Sequence, residues 1–271
     1  MRVPFIKMHG LGNDFVVLDA RETALPAMTA GKAKALADRH TGIGCDQLIL
    51  LEPVSDQSDA DFRMRIFNHD GGEVEACGNA ARAVALYHGK PAKLATAGGI
   101  IALSPADGGA RVDMGQPRFE WDAIPLEYAM DTSRIPVGWE QLQAPDAVNV
   151  GNPHVIFFVD DAGAVELERL GPLIELDPLF PERVNVNVAK VTDRAIDLRV
   201  WERGAGLTQA CGTGACATAV AAIRRKLVAS PVEVRLPGGA LTIEWQPGGS
   251  ITMTGPAQES FRGSFEWDDF G

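Results

Sequence analysis

The chain repeats itself once at long range, and this repeat constrains the fold more than any other feature of the sequence. Residues 64–85, MRIFNHDGGEVEACGNAARAVA, align at an offset of 134 residues with residues 198–219, LRVWERGAGLTQACGTGACATA. Two further fragment pairs follow the same order: GLGNDFVVLD (10–19) with NVGNPHVIFFVD (149–160), and ATAGGIIAL…VDMGQP (95–117) with RLPGGALTI…TMTGPA (235–257). A period this long indicates a duplicated domain and not a solenoid.

Both halves contain the same succession of predicted elements. An amphipathic helix (28–40 and 165–177) precedes alternating strands, and a helix rich in Ala, Gly and Thr (78–89 and 212–228) follows each repeated cysteine. Within DFRMRIF, Phe62, Met64 and Ile66 share one strand face. We predict an α+β fold with mainly antiparallel strands around small-residue helices. The predicted domains are residues 1–117 and 118–255, and residues 256–271 form a terminal strand that returns to the first domain.

The charge and the cysteine content limit the classes of function. A net charge of −11 argues against nucleic acid or an anionic membrane as a partner, because both require basic patches. The N-terminal residues lack a signal-peptide layout, and apolar runs such as VIFFV are too short to span a bilayer. Four cysteines do not form a secreted-type disulfide framework. We therefore expect a cytoplasmic protein with reduced thiols.

Cys77 and Cys211 occupy matching places at the start of the two small-residue helices. A helix N-terminus favours negative charge and therefore a thiolate. The Gly-Asn and Gly-Thr that follow leave backbone N–H groups open to an anion. If the two sites face each other across a cleft between the domains, one thiolate removes a proton from a stereocentre and the other thiol returns one. The product is the inverted centre.

The competing interpretation is that both cysteines are buried structural residues. Their matched helix-start positions argue against it. Cys45 and Cys216 have no symmetry partner, since Cys216 aligns with Arg82, and we interpret both as structural. No close pair of Cys or His has zinc-ligand spacing, so no metal site is expected.

Six motifs together resemble the diaminopimelate epimerase family, and the resemblance runs from residue 5 to about residue 260. They are FIKMHGLGNDFVVLD, GCDQ, FNHDGGEVEACGNAARA, GNPHVIFFV, FPERVNVNVAKV and ERGAGLTQACGTGACA. The resemblance implies two pseudo-symmetric domains, each a sheet or barrel wrapped round a central helix, with the active site in the cleft. It implies interconversion of LL- and meso-diaminopimelate for lysine and peptidoglycan synthesis, without pyridoxal phosphate, metal or any other cofactor.

The resemblance also assigns roles to residues of this sequence. Cys77 and Cys211 would be the catalytic acid/base pair, and His154 and Glu202 would tune their protonation. Gly78, Asn79, Gly212 and Thr213 would bind the α-carboxylate. The remaining substrate-binding residues would be Asn13, Gln47, Asn68, Asn152, Asn185, Glu202 and Arg203.

Residue chemistry supports these roles to different degrees. Asn and Gln both donate and accept, which suits a substrate with two ammonium and two carboxylate groups. Arg203 can hold a distal carboxylate through two parallel hydrogen bonds, and Glu202 can take an ammonium group. Asn after Gly is also common in turns, an alternative role for Asn13 and Asn152. Asn185 and Asn187 share a strand face, and we choose Asn185 because it follows FPERV, where the family's binding Asn stands.

Three other functions compete with this prediction. A proline racemase-like enzyme shares the two-thiol chemistry, but proline has no distal group for Glu202 and Arg203. The phenazine-pathway isomerases lack the cysteine pair. A thiol redox protein, which belongs to a different class, is disfavoured by the absence of a C-x-x-C motif. The expected partner is the small-molecule substrate, and the terminal segment SFRGSFEWDDF leaves a homodimer open.

Overall fold

The chain divides into two units in a computed structural model, which describes residues 1–55, 58–74 and 77–270. The first unit comprises Met1–Val112 and Gly255–Gly271, and the second comprises Asp113–Thr254. The sequence placed the corresponding boundaries at residues 117 and 255. No helix of the described ranges is long and apolar enough to cross a membrane.

The first unit contains two α-helices and nine strands among its described residues. In chain order they are β1 (Arg2–Gly10), β2 (Asn13–Asp19), α1 (Ala30–Ala37), β3 (Gln47–Glu52), β4 (Phe62–Asn68), β5 (Glu73–Val74), α2 (Gly78–His88), β6 (Ala92–Thr96), β7 (Gly99–Ala106), β8 (Gly109–Asp113) and, from the C-terminal segment, β19 (Gln258–Glu266) with a 3-10 turn at Trp267–Phe270.

The second unit repeats this order of elements. Its elements are β9 (Gly138–Trp139), β10 (Leu142–Gln143), β11 (Asp146–Asn149), β12 (Pro153–Phe158), α3 (Leu167–Glu175), β13 (Asn185–Val191), β14 (Ala195–Glu202), β15 (Gly206–Thr208), α4 (Gly212–Arg224), β16 (Val232–Leu236), β17 (Gly239–Glu244) and β18 (Thr252–Gly255). The short β9–β10 ribbon precedes the repeated part, and the described residues of the first unit form no counterpart of it.

Two parallel strand pairs in each unit explain the positions of the helices. In the first unit β2 pairs in parallel with β3, and β4 with β6. In the second unit β12 pairs with β13, and β14 with β16, in the same way. Parallel neighbours need a crossover connection, and one helix lies in each of the four connections. The remaining pairs of β1–β7, of β11–β17 and of β19 with β1 are antiparallel.

Helices cover both faces of each sheet. α1 packs with Val16, Leu18 and Leu48 on one face, and α2 contacts β1, β2 and β7. β3 is therefore buried on both faces, which accounts for its continuous apolar run. In the second unit the equivalent roles belong to α3, which packs with Val155 and Val186, and to α4, which contacts β11 to β14, β16 and β17.

The central helices α2 and α4 are buried on nearly all sides. Every residue of α2 from Gly78 to Ala85 is buried, as is every residue of α4 from Gly214 to Ala222. Small side chains allow the strands to approach closely. The burial of both helices confirms the prediction of a sheet wrapped round a central helix. α4 ends four residues earlier than the predicted limit at residue 228, because Lys226 takes a left-handed conformation with φ at 59°.

Gly171 in α3 offers a test of this packing. A Cβ at this position would lie 2.5 Å from the Trp201 ring, whose indole N–H donates to the Glu175 carboxylate. We expect Gly171→Ala to lower the free energy of unfolding by about 1–3 kcal/mol, because the ring must move out of a filled site. Urea unfolding followed by tryptophan fluorescence measures this change.

The matched control is Gly31→Ala, a helical glycine in α1. Outside the backbone of its own helix, a Cβ there would meet only the Thr29 hydroxyl, at 3.9 Å, among the described residues. Alanine in an open helical position is neutral or stabilises by up to about 1 kcal/mol. Equal effects of the two substitutions would contradict the packing described for Gly171.

Candidate active site

Each central helix begins at a cysteine whose thiol caps its first turn. Cys77 is extended, with φ −147° and ψ 113°, and its Sγ accepts from the Ala80 N–H at 3.5 Å. Cys211 has φ −131° and ψ 107°, and its Sγ accepts from the Gly214 N–H at 3.3 Å. The first N–H groups of a helix find no acceptor within it. The two starts therefore offer the same combination of a thiol and open backbone donors.

Burial keeps the Cys211 thiol protonated. Cys211 is buried, and desolvation raises its thiol pKa well above the ordinary value. The Glu202 carboxylate raises the pKa further, while contacts from Thr213 Oγ1, at 3.4 Å, and from the Gly214 N–H lower it. The neutral thiol dominates because the helix start does not compensate for lost solvation.

Glu202 is the acidic neighbour of Cys211. It lies at the end of β14, and its Oε1 accepts from the Thr208 hydroxyl at 2.6 Å. Burial raises the pKa of the Glu202 carboxyl, and hydrogen bonds from Thr208 and Cys211 oppose that shift. Glu202 thus lies where it can take the thiol proton of Cys211 or return it.

Two residues that the sequence did not place in the site, Glu175 and Glu182, hold the turn that carries Glu202 and Arg203. The Gly204 N–H donates to Glu175 Oε1 at 3.0 Å, and the Arg203 guanidinium donates to the Glu182 carbonyl at 3.0 Å. Glu175 is buried and comes from α3. Sequence reasoning missed Glu175, because a lone acidic residue in an amphipathic helix looks like part of a solvated face.

Asn185 fastens the same turn to the sheet. Its Nδ2 donates to the Pro153 carbonyl at 2.8 Å, and its Oδ1 accepts from the Arg203 N–H at 2.9 Å. Only 3% of the residue is exposed. Its substrate-binding role stays a prediction, and the hydrogen bonds assign it a part in orienting Arg203.

His154 lies on the α4-facing side of β12 within a polar chain. Val155 and Val186 belong to the α3-side core, so the alternate residues His154 and Asn187 point the other way. His154 Nε2 is 2.9 Å from Asn152 Oδ1, and His154 Nδ1 is 3.0 Å from Asn187 Nδ2. Burial lowers the pKa of His154 to about 3, so the ring is neutral.

In the first unit, the polar residues of three strands meet at one edge. Gln47 lies opposite Phe15 on β2 and opposite Asn68 on β4. Its Nε2 donates to Asn68 Oδ1 at 3.0 Å. Within the described part of the chain, the buried Asn13 Oδ1 and Gln47 Oε1 have no hydrogen-bond partner. Two buried acceptors without donors indicate a place for a donor-rich ligand.

A charged network holds this edge in place. The Asp14 N–H donates to the Asp46 carboxylate at 3.1 Å, and the Asp46 N–H donates to the Asp14 carboxylate at 3.0 Å. Arg39 bridges both carboxylates, and Lys7 pairs with Asp14. Asp14 and Asp46 directly adjoin Asn13 and Gln47 in sequence, so the network fixes the spacing between the two amides. The sequence alone does not show these pairings, because their members are distant along the chain.

The side chain of Asn79 is engaged within its own helix. Its Oδ1 accepts from Arg82 at 2.8 Å, and Arg82 is fully buried and also donates to the Pro256 carbonyl at 3.3 Å. The backbone N–H groups of Gly78 and Asn79 are therefore the groups through which this helix start can bind an anion. Gly212 and Thr213 occupy the same positions in α4.

The two cysteines interpreted as structural lie in the core. Cys45 and Cys216 are both buried, and burial raises the pKa of the Cys45 thiol to about 11. Cys216 lies in the second turn of α4, among small residues. Neither shares the helix-start position of Cys77 and Cys211.

Comparison with known proteins gives one consistent result. The family model for diaminopimelate epimerase matches residues 5–120 and 146–259. The chain is 69% identical to the diaminopimelate epimerase of Erythrobacter litoralis over 271 residues, and 55% identical to that of Zymomonas mobilis over 271 residues, with 100% of both chains covered in each case.

Solved structures with much lower identity share the fold. A phenazine biosynthesis protein of the PhzF family from Enterococcus faecalis has a TM-score of 0.70 at 16% identity, covering 98% of this chain and 100% of its own. A hydroxyproline epimerase from Agrobacterium vitis has a TM-score of 0.65 at 16% identity, covering 97% and 92%. These likenesses confirm the predicted α+β fold.

The raised pKa of Cys211 predicts its ionisation state. At pH 8 we expect the wild-type protein and the Cys211→Ala variant to have the same thiolate absorbance near 240 nm, because Cys211 contributes no thiolate below its raised pKa. Subtracting the two spectra as a function of pH measures this. A loss of thiolate absorbance at pH 8 in the variant would contradict the burial argument.

Proposed function

The chain belongs to the diaminopimelate epimerase family, and we propose that it inverts one stereocentre of diaminopimelate with Cys77 and Cys211 as its two acid/base groups. It is an isomerase of lysine biosynthesis that acts on diaminopimelate. The reaction interconverts the LL and meso isomers and is independent of pyridoxal phosphate.

One observation carries the proposal: a cysteine caps the buried central helix of each unit. Both thiols accept from the third N–H of their helix, at 3.5 Å for Cys77 and 3.3 Å for Cys211. Ser, Thr, Asp and Asn are the side chains usually preferred at this position, so capping alone does not account for two cysteines. A role in proton transfer accounts for both, since a thiol donates a proton and its thiolate accepts one.

Removal of the α-proton requires strong stabilisation of the negative charge that develops on the substrate. In the proposal, the α-carboxylate binds the open N–H groups of Gly78–Asn79 and Gly212–Thr213. These donors are fixed before the reaction, so charge can grow on the carboxylate without reorganisation of solvent. One cysteine takes the proton as thiolate while the other delivers one from its thiol, and the two roles exchange with the direction of the reaction.

The polar residues supply recognition of the remaining groups. The oxygens of Asn13 and Gln47 have no partner among the residues that the structure describes, so they can accept from a substrate ammonium group. Arg203, whose backbone and guanidinium are held by Asn185 and Glu182, supplies the positive charge for a distal carboxylate. Glu202 exchanges a proton with Cys211. His154, in its neutral form, tunes the protonation of the cysteines.

Assembly into a homodimer is the remaining part of the proposal. The expectation of a dimer rests on the terminal segment SFRGSFEWDDF. This segment contributes to β19, which pairs with β1 from Arg2↔Glu266 to His9↔Gln258. Light scattering after gel filtration distinguishes the 28.9 kDa chain from a particle of twice that mass. A mass that stays at that of one chain across micromolar concentrations would rule out the dimer.

The decisive experiment follows hydrogen exchange in D2O. Reduced enzyme is incubated with LL-diaminopimelate, and NMR follows deuterium at the α-carbon together with appearance of the meso isomer. We expect the wild type to incorporate deuterium as it inverts the centre. Cys77→Ala and Cys211→Ala should each reduce the rate of inversion by about a hundredfold or more, because each removes one acid/base group.

Two buried cysteines serve as matched controls for these substitutions. Cys45→Ala in the first unit and Cys216→Ala in the second should retain inversion, since both residues lie in the core and away from the helix starts. Inversion that survives in Cys77→Ala or Cys211→Ala would exclude the two-thiol mechanism. Exchange with proline and none with diaminopimelate would move the substrate to the proline racemase class.

Substitution of Asn13 distinguishes an effect on substrate binding from an effect on the free energy of unfolding. Its Oδ1 is buried without a partner in the described structure, so Asn13→Ala should leave the free energy of unfolding within about 0.5 kcal/mol. The KM for diaminopimelate should rise about tenfold, because one hydrogen bond to the substrate is lost. Steady-state kinetics and urea unfolding measure the two effects.

The control is Asn149→Ala, because the fold uses both amide atoms of Asn149. Its Nδ2 donates to the Ala123 carbonyl at 2.6 Å, and its Oδ1 accepts from the Gly151 N–H at 2.8 Å. We expect this substitution to cost about 1–3 kcal/mol of stability. An unstable Asn13→Ala variant with an unchanged KM would refute the binding role of Asn13.

A further inference from the structure

Asn187 has no role in the site described above, yet it is fully buried against it. It lies on β13 with its side chain on the α4-facing side of the sheet, and its Nδ2 contacts His154. A Cβ on Gly214 would lie 2.9 Å from Asn187 Oδ1 and 3.2 Å from Cys211 Sγ. Asn187 therefore reaches the first turn of α4 beside the cysteine.

The backbone determines which way the Asn187 amide points. Its Nδ2 donates to the Val155 carbonyl at 3.2 Å as well as lying 3.0 Å from His154 Nδ1. A carbonyl oxygen only accepts, so the nitrogen of the amide must occupy this side. The Oδ1 then points to Gly214 and, among the described residues, has no hydrogen-bond partner.

This orientation settles the tautomer of His154. Because Asn187 Nδ2 donates to it, His154 Nδ1 must be the unprotonated nitrogen. Burial lowers the pKa of the ring to about 3, so the ring carries one proton, and that proton lies on Nε2. The Nε2–H then donates to Asn152 Oδ1 at 2.9 Å.

We propose that Asn187 is a positioning residue which, through His154, makes Asn152 present its Nδ2 donors to the substrate. Asn152 Oδ1 accepts from the His154 ring, which turns the Nδ2 donors of Asn152 away from the histidine. Asn152 would then bind a carboxylate of the substrate and not an ammonium group. This inference rests on the proposed function for the placement of Asn152 in the substrate site.

The first unit lacks this chain of hydrogen bonds at the matching positions. Its parallel register pairs Phe15 with Gln47, where the second unit pairs His154 with Asn185. Phe15 therefore matches His154, and Ile49 matches Asn187. Asn13, which aligns with Asn152, keeps an unpartnered oxygen in the described structure. The two matched asparagines thus differ in their oxygens: that of Asn13 has no partner in the described structure, whereas that of Asn152 is engaged by His154.

The tautomer of His154 is the direct test, and it needs no activity. Two-bond 1H–15N correlation spectra of the 15N-labelled wild type at pH 8, with the His154 signals identified from their loss in His154→Gln, show which ring nitrogen carries the proton. We expect the proton on Nε2. A proton on Nδ1, or on both nitrogens, would overturn the inference whether or not the protein epimerises diaminopimelate.

Substitution of Asn187 then tests the effect on binding. Asn187→Leu removes the donor at similar size, so we expect loss of the single-tautomer spectrum and about a tenfold rise in the KM for diaminopimelate, with a smaller change in kcat. The matched control is Thr218→Val in α4, which replaces a buried hydroxyl that has no partner among the described residues and should change neither readout. An unchanged His154 spectrum and KM in Asn187→Leu would refute the role of Asn187.

Discussion

The unpaired N–H groups at the start of a buried helix are the constraint on which this structure depends. Water cannot satisfy donors enclosed by strands, so a side chain or a ligand must. At α2 and α4 the capping atom is a thiol sulfur, which is a weak acceptor. The next two N–H groups belong to residues whose side chains are small or bonded within the same helix. The helices must be rich in Ala and Gly to be enclosed at all. The same enclosure that dictates their composition therefore leaves two helix starts with open N–H groups, each capped by a thiol.

Duplication provides two such starts, but the surrounding residues make them chemically unequal. Cys211 is buried beside the Glu202 carboxylate, and burial with that charge holds it as a thiol. At the position of Glu202, the first unit has the neutral Asn68, which hydrogen-bonds to Gln47. A two-base inversion needs one protonated and one deprotonated group at a time. Unequal neighbours prepare that difference before the substrate arrives, whereas a strictly symmetric pair would have to create it on binding.

The sequence alone was sufficient for those features that repeat. The offset of 134 residues places Cys77 and Cys211 at equivalent helix starts, and the small residues after them predict an enclosed helix. Hydrogen-bond direction could not be predicted, since it depends on residues distant in the chain. Even within one helix, the sequence does not show that the Asn79 oxygen accepts from Arg82. Asn185 and Asn187 looked equivalent on one strand face, yet the first fastens Arg203 and the second contacts His154.

Gly214 shows how one small residue can make the surroundings of the two cysteines differ. It aligns with Ala80, so the first unit carries a Cβ where the second has none. In the second unit that Cβ would meet Asn187 Oδ1 at 2.9 Å and Val200 Cγ2 at 3.0 Å, both closer than a methyl group ordinarily approaches. Alanine at 214 would therefore force Asn187 or Val200 to shift, and Asn187 in turn orients His154. The loss of one methyl group beside Cys211 is therefore linked to the donor that Asn152 presents.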